Sequence, residues 1–243
     1  MIPLHFGLQH STLFGIYDPA KSPRRRIGLL IANPTGWEAI RAHRALRLLA
    51  MKASEKGFDV LRFDFMGTGD SLGDESTHTA EQALLDIEVA VEELTSLAGV
   101  SRIVLVGVRV GARIALEAAR RGGMPVERIV LWDPVSLESP EPGTPRSETD
   151  VPDSENDRHS LAHPLSLVPH LAAQLSHSPL NSRVRVLILL SLGQLMPFDL
   201  TSISNLVVDS ESAGAPCWIE EHDNGAGAAP VHSIDRIVSW LES

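Results

Sequence analysis

The sequence predicts an α/β fold, a mostly parallel, doubly wound sheet with helices on both faces. Three observations predict it. Short β-branched or leucine-rich runs recur along the chain, helical patterns with apolar residues three and four apart fall between them, and one long polar stretch alone breaks the alternation. A chain of 243 residues that is 43% hydrophobic can bury the core that such a sheet needs, and its length fits one domain over 1–243.

The strand-like runs are IGLLIAN (27–33), FDVLRFDF (58–65), SRIVLVG (101–107), ERIVLWD (127–133), VRVLILLS (184–191) and APCWIEE (215–221). Each is short and largely apolar, as in a buried strand. Helices are expected at 37–54, 79–98 and 110–121, with weaker patterns at 199–209 and 231–242. Near the N-terminus, STLFGIYDP reads as an antiparallel hairpin strand. The exception to the rhythm is 134–160, crowded with Pro, Ser, Glu and Asp; over 134–158, seven acidic residues face two arginines. That composition reads as a solvated loop, and HPLSLVPHLAAQLSHS after it as a short helix, so 134–182 is expected to be an acidic loop plus a reduced cap.

The formal net charge of −10 excludes non-specific binding to nucleic acid or to an anionic membrane, because both require a basic surface. Expected partners are a small-molecule substrate or ligand, a protein, or a second copy of the chain. The longest nearly apolar run, VRVLILLSLG at 184–193, is too short for a bilayer span. No signal segment is visible at MIPLHFGLQH, and the single cysteine, Cys217, asks for no oxidising compartment, so a cytoplasmic protein is expected.

The chemistry turns on LVGVRVGARIA, Leu105 to Ala115. A strand-like run, a Gly-x-X-x-Gly turn and a helix-like run match the surroundings of a nucleophile elbow, where flanking glycines let strand and helix approach closely. Gly107 and Gly111 meet that need, but the middle residue is Arg109. A guanidinium stays protonated and offers no lone pair, so it is neither nucleophile nor base. Upstream, RFDFMGTGDS places Asp64, Gly67, Gly69, Asp70 and Ser71 just after a strand, where the glycines permit a tight turn and an aspartate can accept from its amides.

With LIANPTGW and the helix EAIRAHRALRLLA, these stretches resemble the α/β-hydrolase superfamily, and within it the serine-aminopeptidase-like branch associated with exosortase systems. The resemblance covers 10–133 well and the remainder in outline. It implies that Arg109 stands at the nucleophile position and that Val110 supplies one oxyanion-hole amide. The Asn33 to Gly36 loop, with Thr35, would supply the other. The acid that commonly follows the strand 184–191 is absent, since SLGQLMP offers Gln194 there, and Asp133 of LWDP is the acid expected instead. Two histidines remain open as the base: His222, favoured by its place after 215–221, and His232 at the start of the last helix.

Blander readings stand beside these. Asp133 before Pro134 also suits a strand-ending turn, and His222 between Glu221 and Asp223 also suits a solvated loop. Arg41, Arg44 and Arg47 form a basic stripe at helical spacing, a solvated face unless Arg41 turns into the Arg109 crevice to help hold an anion. His163, His170 and His177 recur every seven residues, but Pro164 and Pro169 interrupt the helix and no carboxylate or thiolate completes a ligand set. The sequence therefore calls for no metal and no cofactor.

Three functions follow as expectations. The first is a non-classical member that holds an anionic or carbonyl compound through Arg109 and acts as a lyase, isomerase or water-activating hydrolase with a histidine base. The second is an inactive pseudohydrolase that keeps a surface for a protein partner. The third is an ester or thioester hydrolase with a displaced serine, Ser71 or Ser191.

Overall fold

The computed structural model describes residues 1–21, 23–74, 77–135, 180–190, 206–210 and 231–243. Eight strands, β1 (Ile2–Leu8), β2 (Ser11–Asp18), β3 (Gly28–Ala32), β4 (Asp59–Phe63), β5 (Ile103–Val108), β6 (Val126–Trp132), β7 (Arg185–Leu190) and β8 (Leu206–Ser210), form one sheet. Four helices are described among them: α1 (Trp37–Glu55), α2 (Ala80–Ala98), α3 (Val110–Arg121) and α4 (Val231–Glu242). The strand order is β1-β2-β4-β3-β5-β6-β7-β8, antiparallel through β1, β2 and β4 and parallel from β4 to β8. The chain moves outward from β3 to β4, then crosses back to β5 and proceeds the other way, so the carboxyl ends of β3 and β5 lie at a switch in direction.

Strand periodicity sorts the core into two layers, because successive side chains point to opposite faces. Leu30, Leu61, Phe63, Leu105 and Leu131 meet Leu84, Ile87 and Leu116 on the side of α2 and α3. Their alternates Leu29, Ile31, Val60, Val104 and Val106 meet Leu46, Leu49, Ile234 and Ile237 on the side of α1 and α4. All six residues of β5 are buried, which explains why its sequence carries no polar alternation. At the start of α2 the Thr79 hydroxyl accepts from Gln82 N at 3.1 Å, and Gly99 ends the helix in left-handed geometry at φ 62°.

The central strands and strong helices fall where the sequence places them, and STLFGIYDP is indeed an antiparallel strand, paired with both β1 and β4. One expectation is corrected. The weak helical pattern at 199–209 ends in strand β8, since Leu206, Val207 and Val208 pair in parallel with Val186, Leu187 and Ile188. A short run with two adjacent valines fits a pleated ladder better than an isolated turn of helix. Residues 199–205, the strand expected at 215–221, and 136–179 of the expected loop and cap lie outside the described residues. Among the described residues, no helix is long and apolar enough to cross a membrane.

Candidate functional site

Between β5 and α3 the chain turns sharply. Arg109 sits in the turn at φ 55°, ψ −119°, its N–H donating to Trp132 O at 3.0 Å. Positive φ in a bulky residue costs about 1–2 kcal/mol, so the surroundings must hold this conformation in place. The flanking glycines are required by proximity. A Cβ on Gly107 would stand 2.4 Å from Ala112 Cα, and one on Gly111 would stand 2.5 Å from Ala32 O and 2.6 Å from Asn33 O. The first turn of α3 is thereby pressed against both β5 and the end of β3.

Two buried carboxylates hold the Arg109 side chain, which is itself about 15% exposed. Nε donates to Glu38 Oε1 at 3.0 Å, and Nη1 lies 3.3 Å from Asp133 O and 3.5 Å from Asp133 Oδ2. Glu38 and Asp133 are only 3% and 1% exposed. A cation at the N-terminal end of α3 opposes the helix dipole, and the two acids offset that as well as the loss of water. Asp133 is fixed in turn: it adopts φ 49° and its N–H donates to Leu189 O at 2.7 Å.

The sequence-derived residues separate into three groups. Arg109, Val110, Asp133 and the loop Asn33, Thr35 and Gly36 gather at the carboxyl ends of β3, β5 and β6, where Asp133 meets the Arg109 guanidinium. Val110 opens α3, so its amide belongs to the first turn, which has no acceptor within the helix. Gly36, at φ 61° and ψ −143°, precedes α1. Arg41 and His232 stand apart. Arg41 is exposed and stacks over Trp37 at 5.0 Å, on the solvated face of α1. His232 is exposed in the first turn of α4 and makes no hydrogen bond or ion pair among the described residues. His222, Gln194, Ser191, Cys217, His163, His170 and His177 lie outside the described residues.

Glu38 is the residue that the sequence reading passed over. The signal was present, because Glu38 shares a helical face with Ala42, Ala45 and Leu49, all fully buried. An acid on the apolar face of a helix needs a partner inside the protein.

Beside this centre the RFDFMGTGDS turn makes its own network. Asp64 Oδ1 accepts from Asn33 Nδ2 at 3.1 Å and Oδ2 from Asp70 N at 3.2 Å, and burial pushes the Asp64 carboxyl above the usual range. The Ser71 hydroxyl donates to Asp64 O at 2.5 Å and accepts from Phe14 N at 2.8 Å, so it ties the turn to β2. Across Asp64 and Asn33 opens a pocket of about 370 Å³ between the first half of α1 and the end of β4. Among the described residues there is no cluster of His, Cys, Asp and Glu able to hold a metal ion.

No family model matches this sequence, and no curated protein does. Solved structures do. Est1E from Butyrivibrio proteoclasticus with ferulic acid bound superposes with a TM-score of 0.70 at 16% identity, covering 98% of each chain. Alpha/beta hydrolase domain-containing protein 10 from mouse gives 0.61 at 16% identity over 100% of this chain and 97% of that one. An alpha-beta serine hydrolase homologue from Coxiella burnetii gives 0.61 at 15% identity over 99% and 95%. The chain has the α/β-hydrolase fold.

Proposed function

We propose that this protein is a non-hydrolytic member of its fold, a pseudohydrolase in which the turn that presents a nucleophile in α/β-hydrolases presents an arginine locked between two acids. One observation carries the reading: Arg109 adopts positive φ between β5 and α3 while its guanidinium is gripped by buried Glu38 and Asp133. A protonated guanidinium cannot attack a carbonyl or take up a proton. Two carboxylates at 3.0 and 3.5 Å also compensate its charge from within the protein, which weakens the case for Arg109 as the anion-holding group. The retained fold then acts as a platform for a protein partner or a small ligand.

A second reading keeps chemistry at the same place. Thr35 Oγ1 is buried with no hydrogen-bond partner, on the loop whose start the first turn of α3 abuts. Together with the Val110 amide, it supports a polarised carbonyl ligand, with His222 or His232 as base.

Turnover separates the two. The purified chain should release product from aryl esters of two to eight carbons and from acyl thioesters no faster than the same concentration of heat-denatured protein. Turnover that rises with pH and disappears in His222→Ala or His232→Ala would overturn the pseudohydrolase reading in favour of the second.

A further inference from the structure

Strand β1 ends the sheet order and pairs on one side only, with β2. Which of its backbone groups that pairing leaves over follows from the strand beside it. Phe14, opposite His5, turns its backbone the other way: its N–H donates to Ser71 Oγ at 2.8 Å and its carbonyl accepts from Asp64 N at 3.0 Å. His5 and Phe14 are therefore a pair that exchanges no hydrogen bonds, and the His5 N–H and C=O point out from the sheet. Thr12, opposite Gly7, likewise gives its carbonyl to Leu72 N at 2.9 Å, so Gly7 also turns outward. An edge of this kind is commonly blunted by a charged side chain, and β1, IPLHFGL, carries none.

The order of side chains along β1 says what the edge fits. From either end, a bulky apolar residue, a compact one and a second bulky apolar one lead to the same central histidine: Ile2, Pro3 and Leu4 on one side of His5, Leu8, Gly7 and Phe6 on the other. Antiparallel pairing of two such strands about a two-fold axis at His5 sets Ile2 against Leu8, Pro3 against Gly7 and Leu4 against Phe6, so each residue meets one of its own class. The two His5 residues exchange both N–H···O bonds, and Pro3, which has no N–H, accepts from Gly7. Strand alternation puts Ile2, Leu4, Phe6 and Leu8 on one face, and the pairing brings together Ile2 and Leu8, which are 52% and 63% exposed. A foreign extended peptide would satisfy the backbone but has no reason to match this symmetric order.

We propose that β1 is a self-association edge, on which a second copy of this chain lays its own β1 antiparallel about His5 and continues the sheet through both copies. Two short strands and their flanks bury less than the roughly 1,600 Å² of a standard interface, so the association is weak, with a dissociation constant of about 10–100 µM. The inference does not depend on whether the Arg109 centre turns over substrate, because no part of it passes through that residue.

Sedimentation equilibrium of the full chain from about 1 to 500 µM tests it and should show a monomer–dimer equilibrium within that range. His5 is exposed, so His5→Lys and His5→Glu should keep the wild-type circular dichroism spectrum. Each variant sets like charges directly opposite across the two-fold axis and should associate at least about tenfold more weakly than the wild type. An equimolar mixture of the two sets Lys against Glu and should recover at least the wild-type affinity. Leu8→Lys, which sets an ammonium against Ile2, should weaken association by a similar factor and replaces a His5 variant that does not fold. Val231→Lys, at an exposed apolar position on α4, should leave the dissociation constant unchanged. A wild-type chain that stays monomeric, undiminished association of His5→Lys, a mixture that recovers nothing, or an equal loss in Val231→Lys would each overturn the assignment.

Discussion

Replacing Arg109 by Met keeps much of the side-chain volume and removes the charge, leaving Glu38 and Asp133 at 3% and 1% exposure without their cation. At an effective dielectric near 20, each carboxylate contact, at 3.0 and 3.5 Å, represents about 5 kcal/mol of gross attraction. Most of that is offset by desolvation, and removing one member of a buried ionic group costs about 3–5 kcal/mol net. The 15% exposure of the Arg109 side chain lets water recover a little, so the expected loss is about 3 kcal/mol. In a chain of this length that lowers Tm by about 6–12 °C. The assay is urea denaturation followed by circular dichroism, with Arg109→Met, Glu38→Met and the double variant compared as a cycle. The double variant should be more stable than the sum of the singles predicts, by about 1–3 kcal/mol. A strictly additive cycle, or an Arg109→Met chain as stable as the wild type, would refute the lock.

Other consequences follow from the same contacts. Gly107→Ala places a methyl 2.4 Å from the backbone of Ala112, so it should lower stability by about 3 kcal/mol or prevent soluble expression, read from the same denaturation curves. Ser71→Ala leaves Phe14 N without its acceptor and should lose about 1–3 kcal/mol of stability, with the rate of aryl-ester hydrolysis unchanged from the wild type. His78 is 7% exposed against Phe65, and burial pushes its imidazole down to about 4. A lowered histidine value means that the unfolded chain gains a proton near pH 6.5 before the folded one does. Its contribution to stability therefore falls as pH drops from about 6.5 toward 4, by up to about 3 kcal/mol. Over that window His78→Leu should lose correspondingly less stability than the wild type, measured by urea midpoints at several pH values.

The core of the fold was open to sequence reading for a physical reason. Strands buried on both faces are largely apolar, so β3, β5 and β7 show up as nearly unbroken runs, and β4 and β6 remain legible despite Asp59, Arg62, Glu127 and Arg128. β1 lacked that signal because most of its residues are exposed and only Phe6 is buried. β8 was misread because five residues are too few for helical and strand periods to be told apart by apolar spacing. At the centre, Arg109 and Asp133 could be placed from the turns that carry them, since Gly107, Gly111 and Pro134 mark those turns locally. The Glu38 contact spans 71 residues of sequence and exists only because the end of β3 and the start of α3 are pressed together. Nothing in local spacing encodes such a meeting, although a buried acid on the apolar face of α1 announces that some partner must be found.

The claim at the centre of this account is that no serine in the chain is an activated nucleophile. Intact-protein mass spectrometry after incubation with a fluorophosphonate probe tests it most directly. The folded protein should keep its unmodified mass under conditions that label a serine esterase stoichiometrically. A single covalent adduct, mapped to Ser71, Ser191 or any other serine and abolished by prior unfolding, would contradict it.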